Sequence, residues 1–235
     1  MSFEQCRPLI TGSSRGIGRA FIDAFLEAGA PKIYAGVRNE GAAATVAAID
    51  PRVHPIIVDT TKPDEVARAA RDASDVTVLV NNAGVLHYAG FLSAPDLDQA
   101  RHEMEVNYFG PLAMARAFAP TLARSQGTIV NILSIAALVY MPLVGTYNAS
   151  KAAARSMTQG LRVDLADIGV GVMAVYAGGY DTEMHLESTD KALLNPPSVL
   201  TGAVLDALAK GGVDELFPDA AARGLGQRLG LIAAD

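Results

Sequence analysis

Only one cysteine, Cys6, occurs among the 235 residues, so no disulfide can form within the chain and a reducing compartment is expected. No run of lysine or arginine is dense enough to suggest a nucleic-acid surface, and the formal net charge of -6 points the same way. The opening residues Met1 to Gln5 carry no positive charge ahead of an apolar core, so no secretory segment is visible. The longest apolar stretch, Val130 to Val144, is interrupted by Asn131, Ser134 and Pro142 and falls short of a membrane span. His54, His87, His102 and His185 lack the spacing of metal ligands, so all four are read as structural or surface residues and no metal is indicated. No repeat, low-complexity tract or linker divides the chain, and residues 1–235 are expected to form one domain. Together these absences predict a soluble cytoplasmic protein without nucleic-acid or membrane partners.

What is present is an alternation of short apolar runs and helical patterns, with half of the residues hydrophobic and enough of them for a sizeable core. Pro8 to Ile10 reads as a first strand, with Pro8 at its first position because it has no N–H to give to a neighbour. Further strands are predicted at Lys32 to Val37, His54 to Val58, Val76 to Val80, Gly127 to Ser134 and Val170 to Tyr176, with a short one at Glu215 to Phe217. Helices are predicted from Ile17 to Ala28, Gly41 to Ile49, Pro63 to Arg71 and Tyr147 to Asp167. A longer helical region, Asp96 to Arg124, is expected to break at Gly110-Pro111. Repeated βα units of this kind imply a parallel sheet of about seven strands with helices on both faces.

Between the first strand and first helix lies Gly12-Ser13-Ser14-Arg15-Gly16-Ile17-Gly18. A glycine-rich turn at such a junction lets backbone N–H groups and the positive end of a helix approach a phosphate, so these seven residues are candidates for binding a dinucleotide. The residue that discriminates between the two nicotinamide dinucleotides should lie about 20 residues further on, at the end of the second strand. Val37 and Arg38 stand there, and no carboxylate opposes a 2′-phosphate. Arg38, helped by Arg15, Ser13 and Ser14, therefore favours NADP(H), against the alternative that Arg38 is an ordinary solvated loop residue.

Tyr147 and Lys151 are four residues apart, a spacing that puts both side chains on one face of a helix. A lysine beside a phenol favours the phenolate, and a tyrosine tuned in this way exchanges a proton with an alcohol near neutral pH. Ser134 ends the fifth predicted strand, at the edge where open α/β sheets bind ligands, and is suited to orienting a carbonyl. Taken alone, such a Tyr/Lys pair is also found as a solvated helix edge.

In their order along the chain, Thr11-Gly12-x-x-x-Gly16-x-Gly18, Asp59, Asn81-Asn82-Ala83-Gly84, Asn107, Ser134 and Tyr147-x-x-x-Lys151 resemble the short-chain dehydrogenase/reductase family, in its single-domain branch. The resemblance implies a Rossmann-like doubly wound fold and hydride transfer between NADP(H) and a ketone, aldehyde or alcohol. It implies Tyr147 as general acid, Ser134 as the carbonyl-orienting group, and Lys151 as tuning Tyr147 and holding the nicotinamide ribose. Asn107 would support a water relay behind Lys151, Asp59 would bond the adenine, and Asn82, Ala83 and Gly84 would line the cofactor cleft. Tyr180 and Thr182 would meet the cofactor after the sixth strand. There the family often has Pro-Gly where this chain has Ala177-Gly178-Gly179, so a looser turn is expected.

Substrate-facing candidates are Leu86, His87 and Tyr88, the segment Ile135 to Val144, and Tyr180, Met184 and His185. Their mostly apolar character suits a hydrophobic carbonyl compound, and the short segment from Glu183 to Ser198 suggests a small lid. A homodimer or homotetramer is expected from the resemblance. The tail from Gly224 to Asp235 carries no motif and reads as an interface or a loose end. A cofactor-dependent isomerase or dehydratase and a catalytically silent nucleotide sensor are the competing readings.

Overall fold

The computed structural model describes residues 2–184 and 190–233. After a single turn of 3-10 helix, the chain runs through Pro8–Thr11 (β1), Gly16–Glu27 (α1), Ile33–Val37 (β2), Glu40–Ala47 (α2), Val53–Ile57 (β3), Pro63–Asp72 (α3) and Val78–Asn81 (β4). It continues through Asp98–Met104 (α4), Gly110–Ser125 (α5), Thr128–Ser134 (β5), Gly145–Ala166 (α6), Gly171–Ala177 (β6), Pro197–Lys210 (α7), Glu215–Leu216 (β7) and Ala220–Arg228 (α8).

The strands form one parallel sheet in the order β3-β2-β1-β4-β5-β6-β7. The chain order reverses between β1 and β4, which opens a crevice beyond the carboxyl ends of those two strands. Pro8 stands first in β1, as its missing N–H requires. Successive strand residues point to opposite faces, so each strand feeds two cores. Ile10, Val80, Val130 and Val175 pack on one side with Phe21 and Phe25 of α1, Val46 of α2, and Leu200 and Val204 of α7. Leu9, Leu79, Ile129 and Val172 pack on the other with Val66 of α3, Phe118 and Leu122 of α5, and Leu161 and Leu165 of α6. The doubly wound α/β architecture predicted from the βα alternation is thus present.

The break expected at Gly110-Pro111 lies one turn earlier. Residues Glu105–Phe109 form a π-helical turn between α4 and α5, and Pro111, which has no N–H to give back to that turn, follows it directly. A Cβ on Gly110 would sit 2.6 Å from the Thr60 hydroxyl, so that glycine serves a close approach between elements. Two helices, α7 and α8, extend the predicted set. The tail from Gly224, read as an interface or a loose end, supplies much of α8, whose Leu225 and Gly226 are buried, while Ile232 packs near Phe217.

Candidate active site

A cleft of about 1170 Å³ lies along the carboxyl edge of the sheet, and two unlike walls enclose it. On one wall α1 starts without a side-chain cap, because Arg15 makes no capping hydrogen bond. The N–H groups of its first turn are left open toward the cleft, an arrangement suited to an anion. Gly12 and Gly16 have φ of 65° and 53°, a left-handed backbone that glycine adopts without strain. Gly18 is required for a different reason. A Cβ there would overlap the Gly12 carbonyl and lie 2.7 Å from Asn82 Nδ2 and 2.8 Å from Ser13 Cα.

Thr11 at the end of β1 and Asn82 just past β4 lock this loop. The Thr11 hydroxyl accepts from Asn82 N and Ala83 N, each at 3.0 Å, while Asn82 Nδ2 donates to the carbonyls of Thr11 (2.9 Å) and Gly12 (3.2 Å). Ser14, Arg15, Gly16, Ile17, Arg38, Asp59, Ala83 and Gly84 line the cleft as expected, with Arg38 exposed at its mouth. Ser13 does not. Its N–H and its hydroxyl both donate to the Gly36 carbonyl at 3.1 Å, so the side chain points into the fold and cannot help hold a phosphate. Asp59 Oδ1 accepts from the Thr61 hydroxyl (2.7 Å) and the Thr61 N–H (3.0 Å), which fixes the carboxylate at the cleft edge.

On the opposite wall stand Ser134, Tyr147 and Lys151. Lys151 and Tyr147 share a helix face as their spacing predicts, with Lys151 Nζ 5.7 Å from the phenol ring centroid. The electrostatic expectation is not met. Burial pushes the Tyr147 phenol up to about 12; the Ser134 hydroxyl bond lowers it in part, and the charges of Glu103 and Tyr88 raise it further. Lys151 is itself pulled down to about 8 by burial. Its Nζ donates to the Ile132 carbonyl at 3.0 Å. Removal of water from both groups outweighs the attraction that the helical spacing alone suggested.

Behind this pair lies a polar network. Asn107, in the π-helical turn, accepts from Val85 N at 2.9 Å and donates to Val85 O and Ser150 Oγ, each at 2.9 Å. Ser150 donates in turn to the Tyr147 carbonyl at 2.8 Å. Gly84 makes room for this arrangement, since a Cβ there would sit 3.2 Å from Asn107 Oδ1 and 3.7 Å from Lys151 Nζ. Asn148 holds the segment between Ser134 and Tyr147 by donating to the carbonyls of Ala136 (2.9 Å) and Val139 (2.7 Å). Ser150 and Asn148 were visible only as neighbours of Tyr147, and Glu103 gave no signal. Glu103 is fully buried and accepts from His87 N at 2.7 Å.

At the far end, Leu86, His87, Tyr88, Ile135, Ala136, Met141 to Val144, Tyr180 and Met184 line the cleft, while Ala137 to Tyr140 turn away from it. His185, with the rest of residues 185–189 of the expected lid, lies outside the described residues. His87 lines the cleft as a substrate-facing candidate should, and His102, read as structural or surface, stands beside it. They line the cleft together, with Nε2 and Nδ1 3.0 Å apart. Leu143 has φ of 71°, which is strained for a branched side chain, and projects into solvent at the rim.

The turn after β6, expected to be loose, is tied down. Asp219 accepts from Gly178 N and from the Tyr180 hydroxyl, which faces Asp219 while the residue still borders the cleft. Thr182 crosses to the first wall, where a Cβ on Gly16 would sit 3.2 Å from Thr182 Cγ2.

Comparison with known proteins agrees with this geometry. A crystal structure of a short chain dehydrogenase from Burkholderia cenocepacia J2315, in complex with NADP, superposes with a TM-score of 0.91 at 44% identity, over 98% of this chain and 94% of that one. A gluconate 5-dehydrogenase from the same organism, in complex with NADP and tartrate, superposes with a TM-score of 0.85 at 28% identity, over 93% of this chain and 95% of that one. Among curated relatives, the short chain dehydrogenase pigC of Monascus ruber is 34% identical over 74% of this chain, and the match spans 62% of that relative's length. The sorbitol dehydrogenase of Cereibacter sphaeroides is 35% identical over 77% of this chain and 73% of its own. The family model described as short chain dehydrogenase matches residues 8–192, and with it the chain belongs to the short-chain dehydrogenase family.

Proposed function

We propose that the protein is an NADP(H)-dependent oxidoreductase that interconverts a ketone or aldehyde and an alcohol, with Tyr147 passing the proton. The observation that carries this reading is one cleft with an uncapped, glycine-lined helix start on one wall and Ser134, Tyr147 and Lys151 on the other. The residues fit a dinucleotide. Gly18 leaves a cradle that a Cβ would fill, and Gly12 and Gly16 turn the backbone as a close phosphate contact requires. Ser14, Arg15, Gly16, Ile17 and Gly18 would hold the phosphates, Asp59 the adenine end, and Asn82, Ala83, Gly84, Tyr180 and Thr182 the body of the cofactor. When bound, the cofactor supplies or accepts the hydride.

The protein supplies the rest. Ser134, bonded to the phenol, orients a carbonyl oxygen between the two hydroxyls. Burial keeps Tyr147 protonated at neutral pH, which suits a proton donor in the reductive direction. Lys151 keeps its charge below about pH 8 and holds the ribose beside the phenol. Preference for NADP(H) is supported by Arg38 at the cleft mouth, where no carboxylate follows β2, and by the NADP-bound neighbours. The apolar far end favours a hydrophobic carbonyl compound, and we place the enzyme among the homo-oligomers.

The test is NADPH oxidation with a panel of aryl and alkyl ketones, comparing the parent with Tyr147→Phe. Loss of the proton donor is expected to cut turnover by about 10²–10⁴-fold. Undiminished turnover in the variant would remove the mechanism. Arg38→Ala is expected to narrow the ratio of NADPH to NADH affinity, and an unchanged ratio would move the phosphate contact elsewhere.

A further inference from the structure

We propose that Asp219, at the start of α8, is a positioning residue for the cofactor: it holds the turn Ala177 to Thr182 in the shape that closes the cleft. The proposal rests on the reading of that cleft as a nicotinamide-dinucleotide site. Asp219 lies beyond residues 8–192 that the family model covers, and 39 residues separate it from Tyr180.

Asp219 is 1% exposed, and its carboxyl group accepts three hydrogen bonds. Oδ2 takes Gly178 N at 2.9 Å and the Tyr180 hydroxyl at 2.8 Å, while Oδ1 takes Ala222 N at 2.9 Å as the N-cap of α8. One carboxyl thus caps a helix and clamps a turn. The identity of residue 178 follows from that contact. A Cβ there would lie 2.6 Å from Asp219 Oδ1, so glycine is needed because the carboxyl approaches the backbone so closely.

Two adjacent glycines leave a turn with more backbone freedom to lose on ordering than a proline-containing one. Asp219 restricts that freedom from one side. Asn195 does so from the other, where its N–H and Nδ2 donate to the Gly179 carbonyl at 3.0 and 3.1 Å and its carbonyl accepts from Asp181 N at 2.9 Å. The segment so bracketed ends at Thr182, which rests against Gly16 of the opposite wall. Asp219 is itself held by the packing of Ala222, Leu225 and Gly226, and Gly226 faces Phe217, which stacks on Tyr176 at 4.8 Å. Oδ2 takes both Gly178 N and the Tyr180 hydroxyl, so one carboxyl oxygen spans the two glycines while Asn195 holds the carbonyl between them. Through these two bonds the Asp219 carboxyl, rather than the order of α8 as a whole, sets cofactor affinity.

The experiment titrates NADPH, followed by its fluorescence, into the parent, Asp219→Asn, Tyr180→Phe and Leu225→Ala, with Tm measured for each. Asp219→Asn is expected to raise the cofactor Kd roughly tenfold, about 1.4 kcal/mol. Tyr180→Phe, which leaves the cap of α8 intact, is expected to raise it about threefold. Leu225→Ala loosens the same helix through packing alone, and should lower Tm while Kd stays within about twofold of the parent. Parent-like affinity in both Asp219→Asn and Tyr180→Phe overturns the proposal. So does a Kd in Leu225→Ala as weak as in Asp219→Asn, which would mean a merely structural role. If Asp219→Asn does not fold, Tyr180→Phe decides alone. Absence of NADPH binding by the parent is a distinct result, seen before any variant, that overturns the cofactor reading and this inference with it.

Discussion

The two walls of the cleft reach their shapes by opposite means. The glycine-loop wall is defined by what it omits: side chains at Gly12, Gly16 and Gly18, and a cap on α1. The tyrosine wall is defined by what it contains, a chain of polar groups from Val85 through Asn107 and Ser150 to the Tyr147 carbonyl. The first wall should fail when atoms are added. The second should fail when atoms are removed, because its backbone partners are left unpaired.

Gly18→Ala tests the first half of that contrast and carries the largest expected effect. With the Gly12 carbonyl and Asn82 in the way, the loop must shift, and cofactor affinity should fall by about 100-fold, equivalent to ~2.7 kcal/mol of strain. Tight NADPH binding in that variant would break the comparison. Asn107→Ala tests the other half. Three hydrogen bonds disappear and the Val85 N–H loses its partner, so urea unfolding should show a loss of about 2 kcal/mol. A loss no larger than a surface substitution gives would mean that water replaces the side chain freely.

pH separates the walls again: the Asp59 carboxyl on the first is held below the ordinary carboxylate value and keeps one charge from mild acid upward, whereas Lys151 on the second changes charge in the alkaline range. Lys151 falls from the ordinary lysine value of 10.5 to about 8, so its charge is present below that pH and lost above it. Ketone reduction should therefore drop about tenfold per unit above pH 8, and Lys151→Arg should carry the plateau to higher pH. For stability the sign is reversed. Between about pH 8 and 10.5 the unfolded chain binds a proton that the folded chain has released, so this group makes stability rise with pH over that window. The smallest effect is expected at Ser13→Ala, which removes one bond to Gly36: about 1 kcal/mol in Tm-derived stability, with cofactor Kd within about twofold. A tenfold weaker Kd would return Ser13 to the phosphate site.

Much of this was legible along the chain. Pro8 at a strand start, the βα alternation and the glycine spacing each depend on neighbours a few residues away. The meeting of Tyr147 with Lys151 depends on helical pitch alone. Ser13 was misread because a hydroxyl in a glycine-rich turn looks the same whether it faces ligand or sheet, and its partner Gly36 is 23 residues distant. Asp219 stayed hidden for a similar reason, since it joins Gly178 across 41 residues. The loose turn anticipated from Ala177-Gly178-Gly179 was sound local reasoning, overridden by a distant carboxyl group.

By itself, then, the amino-acid order determined which residues face one another within a turn or a strand, because those relations follow from backbone geometry that every chain shares. Packing alone decided how strongly Tyr147 and Lys151 hold their protons and what steadies the turn after β6. Loss of water and contact between remote segments exist only once the sheet and its helices have closed around them.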